Sequence, residues 1–455
     1  MNMAASTQSR PQLSLVSAIV VVAGLVIGAG IFKTPSLIAG LVGSHQILWI
    51  WAGAALLSFV GALCYVELIT RFPNERGEIG FLSEAWGPRV AFVYGWAKAA
   101  VINPGAIAML AFVLADYWSP LWSGPQWSGP LFAACLIVLL TLLNLWGLQF
   151  SARFQLVLLG LEVVLLVGIS AYALALPSPE SAAVTAMGNS PDPTIGAIGL
   201  AMIFALLTFG GWNEAAYLVQ DIRGQSRKIL WVLVWSLGLI TAVYLLVNLA
   251  LLWMMGPAML AKSQAPIADL ATAVMGEWGK GLVLVVVTAS ILTSINATMV
   301  VGARASAAVA TGWSGLKGLS VWTEDRGTPA RAFWLQTGVS LALVVMAAFS
   351  KGAFAALVEF TAPVYWGFLM LVGLSLLVLR RRHPLRDRRD SEPHFVLVFG
   401  PVLPIVFILC CAYLTYSSLT YANSQGSAWI SLVVVAVGVA VSRVVGRPIE
   451  ATRQS

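Results

Sequence analysis

The sequence predicts an all-α integral membrane protein of about twelve transmembrane helices, built as two inverted five-helix repeats plus two extra helices. Three observations predict it. Only 10% of the 455 residues are charged, where a soluble domain carries roughly 25%, and the mean hydropathy is +0.87. Apolar runs of about 20 residues, the length that crosses a bilayer, recur along the chain. Two of those runs, the first and the sixth, are interrupted by glycine at equivalent places in two five-span halves.

The spans fall near 13–42, 47–70, 88–117, 129–148, 152–176, 195–220, 229–255, 279–304, 330–349, 354–379, 396–419 and 427–446. Pro/Gly/Ser-rich connectors separate several of them, such as 119–130 and 177–193. The chain then divides into an N-terminal tail (1–12), a first repeat (13–176), a second repeat (195–379), a basic loop (380–395), two additional helices (396–446) and a C-terminal tail (447–455). No signal peptide is visible, because the short polar head leads into a span too long to be an h-region.

Lysine and arginine mark the cytoplasmic side of a membrane protein. With an even number of spans both termini lie on one side, and that side holds 21 of the 26 basic residues, including Arg380, Arg381, Arg382, Arg386, Arg388 and Arg389. The opposite loops hold only Lys262, Lys280 and Lys351, while Lys33 and Lys98 lie within spans. Both termini are therefore expected in the cytoplasm, in a multi-pass protein of the cell (inner) membrane. The net charge of +7 does not imply nucleic acid, since the positive residues lie between apolar spans and form no patch on a soluble fold.

Catalytic chemistry finds little to build on. The three histidines, His45, His383 and His394, sit at span ends or in loops, and no metalloprotease, nucleophile-elbow or phosphate-loop motif is present. Cys64, Cys135, Cys410 and Cys411 all fall inside apolar runs, away from any loop where a disulfide or zinc site forms. The sequence implies no enzyme and no cofactor or metal.

The first interruption is V-I-G-A-G-I-F-K-T-P, residues 26–35, and the second is F-G-G-W-N-E, residues 209–214. Glycine inside a helix costs roughly 1 kcal/mol relative to alanine. Freed backbone groups in lipid cost more unless they line a cavity or bind something. Glycine also serves close helix packing, but here both breaks have polar or proline neighbours: Lys33, Thr34 and Pro35 at one, Thr208, Asn213 and Glu214 at the other. Paired interrupted segments point to a transporter with a midplane substrate site. Free N–H groups at a half-helix N-terminus attract a carboxylate, and free carbonyls at a half-helix C-terminus attract an ammonium. Together they read the two ends of an α-amino acid.

At these residues the chain resembles the amino acid–polyamine–organocation superfamily, most of all bacterial members of the L-type amino acid transporter family. G-A-G-I-F-x-T-P (28–35), A-L-C-Y-V-E-L…R-F-P (62–73), G-E-I-G-F-L-S-E-A-W-G-P (77–88), F-V-Y-G-W…N-P-G-A-I-A…A-D-Y (92–117), S-A-R-F-Q (151–155), F-G-G-W-N-E-A-A-Y (209–217) and V-L-R-R-R-H-P (378–384) carry the resemblance. It implies a LeuT-like fold and sodium-independent amino acid transport, often by exchange. Carried over by position, Gly28, Ala29, Gly30 and Ile31 would bind the substrate carboxylate. Backbone at Leu207, Thr208 and Phe209 would bind the amino group, and Trp212, Asn213 and Glu214 would flank the site. Ile27 and Gly210 complete the two unwound segments. The family's disulfide-linked ancillary subunit attaches through a cysteine between spans three and four; residues 117–129 have none, so no such partner is expected.

The chain departs from the family in informative places. Where relatives often carry a lysine in span five, seven residues after the glutamine of the S-A-R-x-Q stretch, this chain has Glu162. A charged carboxylate at mid-span costs roughly 2.5–3.5 kcal/mol, so it should be protonated or paired. Three readings stand: Glu162 is a proton-coupling site, it pairs with Lys98, the mid-span cationic candidate, or it faces water without a coupling role. The family's aromatic outer gate falls at Leu207, leaving Phe204 or Phe209 as gating candidates, each also consistent with helix packing. Glu214 would favour a cationic or polar side chain, or serve a gate.

Further polar residues sit in or near the spans. Glu67, at the end of span two, reads as an inner salt bridge with Arg71 or Arg304. Asn103, beside Pro104 in span three, is a candidate pocket residue. Thr293, Ser294 and Asn296 in span eight read first as interhelical hydrogen bonds. Lys33 has no assigned role. The expected ligand is a small-molecule amino acid, with protons as a possible co-ligand and the lipid bilayer as surroundings. Proton-driven amine or polyamine uptake and an amino-acid-sensing transceptor are the alternatives.

Overall fold

The computed structural model describes residues 19, 22–23, 26–72, 77–119, 127–146, 152–179, 193–213, 226–322, 328–350, 352–384, 395–397, 399–424 and 428–445. Fourteen α-helices follow in order among them: α1 (Thr34–Ala39), α2 (Ser44–Arg71), α3 (Glu78–Trp86), α4 (Pro88–Ala97), α5 (Asn103–Trp118), α6 (Ser128–Leu145), α7 (Ala152–Ala175), α8 (Ile195–Thr208), α9 (Ser226–Lys262), α10 (Pro266–Thr311), α11 (Ala330–Ala348), α12 (Ala353–Arg382), α13 (Val402–Ser424) and α14 (Ala428–Val444). A π-helical turn over Lys98–Ile102 joins α4 to α5, so span three runs on as one helix from Pro88 to Trp118. Pro104 has no N–H to give the carbonyl four residues back, and such π-turns are frequent at functional sites.

Nine helices among the described residues are long and apolar enough to cross a membrane, and α8 and Trp429–Val444 are shorter apolar helices. The protein is an all-helical, multi-pass membrane protein. Its large apolar side chains are of two kinds. Trp51, Tyr65, Tyr117 and Tyr244 are fully buried, whereas Trp49, Leu131, Val164, Val285 and Leu409 are exposed on the outer faces of their helices, where lipid covers them.

The span limits read from apolar runs agree with the helices to within a few residues for spans two to five, nine, ten and twelve. Span six breaks after Thr208, where its glycines predict the interruption, and 214–220 lie outside the described residues. Two differences have local causes. Span eleven starts at Val402, not 396, because Phe399 and Gly400 adopt positive φ (69° and 58°) ahead of Pro401. Between spans seven and eight, the positive φ of Gly256 (67°) and Gly276 (69°) bends the helices, turning 257–262 and 266–275 into short extensions that hydropathy alone does not separate.

Span two packs on α8, α9 and α13. Helix α7 packs against α9 and α10, and α5 lies among α6, α10, α11 and α12. The interrupted segments of spans one and six thus sit inside a shell of continuous helices.

Candidate functional site

The first break begins at Gly28, which is extended (φ −137°, ψ −171°) and takes the chain out of the helical ladder. Ala29–Phe32 then form one 3-10 turn, and α1 starts after Lys33, with Pro35 in its first turn. The second break follows Thr208. Phe209 and Gly210 close a turn on Ala205 and Leu207, and Gly211 takes φ +105°, a conformation that side chains disfavour.

The two breaks touch. A Cβ on Gly30 would lie 2.8 Å from Thr208 Cα, so only glycine permits this approach of backbone to backbone. Thr34 Oγ1 donates to Gly30 O (3.0 Å) and shares a 2.7 Å hydrogen bond with Thr208 Oγ1. Tyr244 of span seven, fully buried, places its hydroxyl 3.2 Å from both Val26 O and Thr208 O, the carbonyls at the ends of the two half-helices. Trp51 and Phe209 pack on the Tyr244 ring. A Cβ on Gly28, by contrast, would meet only Val26 O at 3.9 Å. Among the described residues, Gly28 therefore has room for a side chain where Gly30 has none.

The predicted site residues are distributed around this contact. Ile27, Gly28, Ala29, Gly30 and Ile31 form the first unwound segment, with Ile27 and Ile31 buried. Leu207 and Thr208 are the last residues of α8, and Phe209 and Gly210 begin the second break. Leu207 O already accepts from Gly210 N, and Thr208 O faces Tyr244. Phe204 packs against Phe354 of α12, and Phe209 against Trp51 and Tyr244. Trp212 stacks edge-on against Tyr65 and Phe407. Glu214 lies outside the described residues.

Asn103 is buried, its amide nitrogen without a hydrogen-bond partner among the described residues, and Asn213 turns to a carboxylate. The Asn103 amide nitrogen and Gln336 Oε1 both stand where a Cβ on Gly302 would lie, so Asn103 reaches toward spans eight and nine. Asn213 donates to Glu78 Oε1 (3.0 Å). Glu78, on the loop helix α3 and nearly fully buried, also accepts from Tyr65 (2.7 Å) and from Tyr94, and pairs with Lys98 Nζ at 3.4 Å. Burial pushes its carboxyl up, but the Lys98 charge and the Tyr65, Tyr94 and Asn213 donors outweigh this and hold it below the usual carboxylate range. Lys98 therefore has Glu78 beside it and lies over the Tyr94 ring.

Glu162 meets a hydroxyl, not Lys98: Ser290 of span eight donates to its Oε2 at 2.6 Å. Its Oε1 is buried with no hydrogen-bond partner among the described residues. Glu67 is the reverse case. It takes two bonds from Arg380 (2.7 and 2.5 Å), one from Arg71 (3.2 Å) and one from Leu397 N–H (2.9 Å). Arg380, not Arg304, is thus the second cation beside it. Asn296 Oδ1 accepts from Asn144 of span four (2.7 Å), an interhelical bond.

Sequence reasoning missed Tyr244, Glu78, Asp116, Gln264 and Ser290. Lys33, unassigned in sequence, ion-pairs with Asp116 at 2.7 Å and donates to Gln264 O (3.2 Å) and Oε1 (2.7 Å), which occupies all three ammonium donors. Two in-span lysines without local acids were the available signal that distant carboxylates must meet them.

Comparison with known proteins agrees with this geometry. The chain is 27% identical over 419 residues to the b(0,+)-type amino acid transporter 1 of Mus musculus, covering 90% of this chain and 82% of that one. It is 26% identical over 451 residues to the large neutral amino acids transporter small subunit 2 of Homo sapiens, covering 95% and 78%. The sequence profile of the family described as amino acid permease matches residues 13–442. With two broken helices meeting at a buried contact inside a multi-pass helical shell, and a profile match over nearly its whole length, the chain belongs to the amino acid permease family.

Proposed function

We propose that this protein moves amino acids across the cytoplasmic membrane by alternating access, as a sodium-independent permease or exchanger, with both termini in the cytoplasm. One observation carries the reading: Gly30 abuts Thr208, so the breaks of spans one and six meet backbone to backbone, with room for a side chain at Gly28. Backbone N–H groups at the start of the 3-10 turn suit a carboxylate, and carbonyls at the end of span six suit an ammonium. Names of relatives point to neutral and b(0,+)-type amino acids as substrates. The bias of basic residues supports the orientation. The two-repeat division at 13–176 and 195–379 follows from the matching positions of the breaks.

Thermal stabilisation of the purified protein by each common amino acid, followed by counterflow of the stabilising ones in proteoliposomes with and without sodium, tests this. Stabilisation plus sodium-indifferent counterflow is the expected outcome. Stabilisation without flux would favour the transceptor reading, and silence across the panel would remove the proposal.

A second reading, proton-coupled uptake of an amine or amino acid, is favoured by Glu162. A buried carboxylate with one hydroxyl partner and one unpartnered oxygen is best accommodated carrying a proton. Accumulation driven by an inward pH gradient, lost in Glu162→Gln, is the outcome that selects it.

A further inference from the structure

Span three carries an ion pair at each of two levels, and each pair fastens a different limb of the broken helices. Toward one end, Asp116 holds Lys33, which lies between the 3-10 turn and α1, and Gln264 holds the same ammonium. Tyr117, next to Asp116, donates to Phe32 O at 2.9 Å, a second tie to the same limb. Toward the other end, Lys98 holds Glu78, and Glu78 accepts from Asn213, two residues past the Gly211 turn on the far limb of span six. Asp116 and Lys98 are separated by 18 residues, about 27 Å of helix. Lys33 and Glu78 are both nearly fully buried.

A buried ion pair is a poor source of stability compared with an apolar replacement, but losing one partner costs heavily. Such a pair suits a contact that must be made and broken as a unit. Lys33, past the break of span one, and Asn213, past the break of span six, are tied to opposite ends of span three, each through a separate charge.

We propose that these are opposed latches of the access cycle. Lys33–Asp116–Gln264 closes the outer route to the meeting breaks of spans one and six, and Asn213–Glu78–Lys98 closes the inner one. Both sets of contacts are present in this structure. The proposal rests on the transport reading and assigns the residues that alternate.

The test uses accessibility, so it does not depend on knowing the substrate. A single reporter, Gly28→Cys, is placed where a Cβ meets open space, in a background with Cys64, Cys135, Cys410 and Cys411 replaced. A membrane-impermeant thiol reagent is applied from either side of oriented membrane vesicles. Asp116→Asn should raise the labelling rate from the outer side at least tenfold and leave the inner rate within twofold. Glu78→Gln should do the opposite. Asp116→Glu and Lys98→Arg, which keep the charges, should stay close to the parent on both sides. If a single variant does not accumulate in membranes, Gln264→Ala takes the place of Asp116→Asn and Asn213→Ala that of Glu78→Gln; each removes one contact of its latch while leaving the ion pair, and each should raise labelling from its own side only.

Unchanged rates, or both variants opening the same side, would overturn the latches while leaving transport standing. Sided labelling in these variants, together with no counterflow by the protein that keeps Gly28, would instead keep the latches and remove the transport reading.

Discussion

Glu67 and Glu162 are both nearly fully buried glutamates in spans, and their surroundings are opposite. Glu67 is surrounded by donors: the fork of Arg380, the guanidinium of Arg71 and the Leu397 amide. Arg380 in turn donates to Gly400 O (2.9 Å) and Arg71 to His383 O (2.8 Å), so this carboxylate knots span two to the end of span ten and to the chain entering span eleven. Glu162 has Ser290 and an unpartnered oxygen. A carboxylate saturated by charged donors fixes a structure. One held by a single hydroxyl is free to exchange a proton. The difference separates a structural acid from a functional one where residue type and burial do not.

The largest expected effect lies at Glu67. Glu67→Gln, or Arg380→Met, leaves a buried charge without its partner and should destabilise the protein by about 3–5 kcal/mol, read as a loss of folded protein in a detergent melt. Glu162→Gln keeps the shape and the Ser290 contact and should cost about 1 kcal/mol or less. Equal losses in the two variants would break the comparison.

At the contact between the breaks, Gly30→Val forces atoms into Thr208. Overpacking of this kind costs about 1–3 kcal/mol, but here the backbone itself is displaced, so counterflow should fall below a tenth of wild type while most protein stays folded. Tyr244→Phe removes one hydroxyl from two half-helix carbonyls. An unsatisfied buried group costs about 1–3 kcal/mol, and a several-fold loss of turnover, larger than the change in melting temperature, is expected.

The smallest effect concerns pH. Glu78 is held below the usual carboxylate range, with Lys98 as the charge facing it. Its contribution is therefore complete above the unfolded-state value and is lost as pH falls through the lower folded-state value. Acidification should loosen the Asn213 limb, seen as faster hydrogen exchange in peptides covering 203–213, and Glu78→Gln should show that exchange at neutral pH already.

Much of the fold was legible in the sequence because lipid demands long apolar runs and closed backbone hydrogen bonding. The ends of spans two to five could be read for that reason. So could the two breaks, since a span tolerates glycine beside Lys33, Pro35 and Asn213 only where the freed backbone finds partners. The partners of the charged residues were not legible. Lys33 meets Gln264 across 231 positions, and Tyr244 meets Val26 across 218. No periodicity records such contacts. Glu78 stood in a conspicuous motif but looked like an ordinary loop acid, because nothing local announces that α3 folds inward. Pairing Glu162 with Lys98 was reasonable by charge count, and it fails because Glu78 stands beside Lys98 instead.

The central claim is that the touching breaks of spans one and six form an amino acid site. Counterflow of radiolabelled L-leucine into proteoliposomes preloaded with an unlabelled amino acid mixture, with wild type and Gly30→Val side by side, tests it most directly. The account predicts rapid uptake by wild type, competed by other amino acids, and at least a tenfold loss in folded Gly30→Val. Full uptake by Gly30→Val, or no uptake by wild type of L-leucine or any other labelled amino acid, would contradict it.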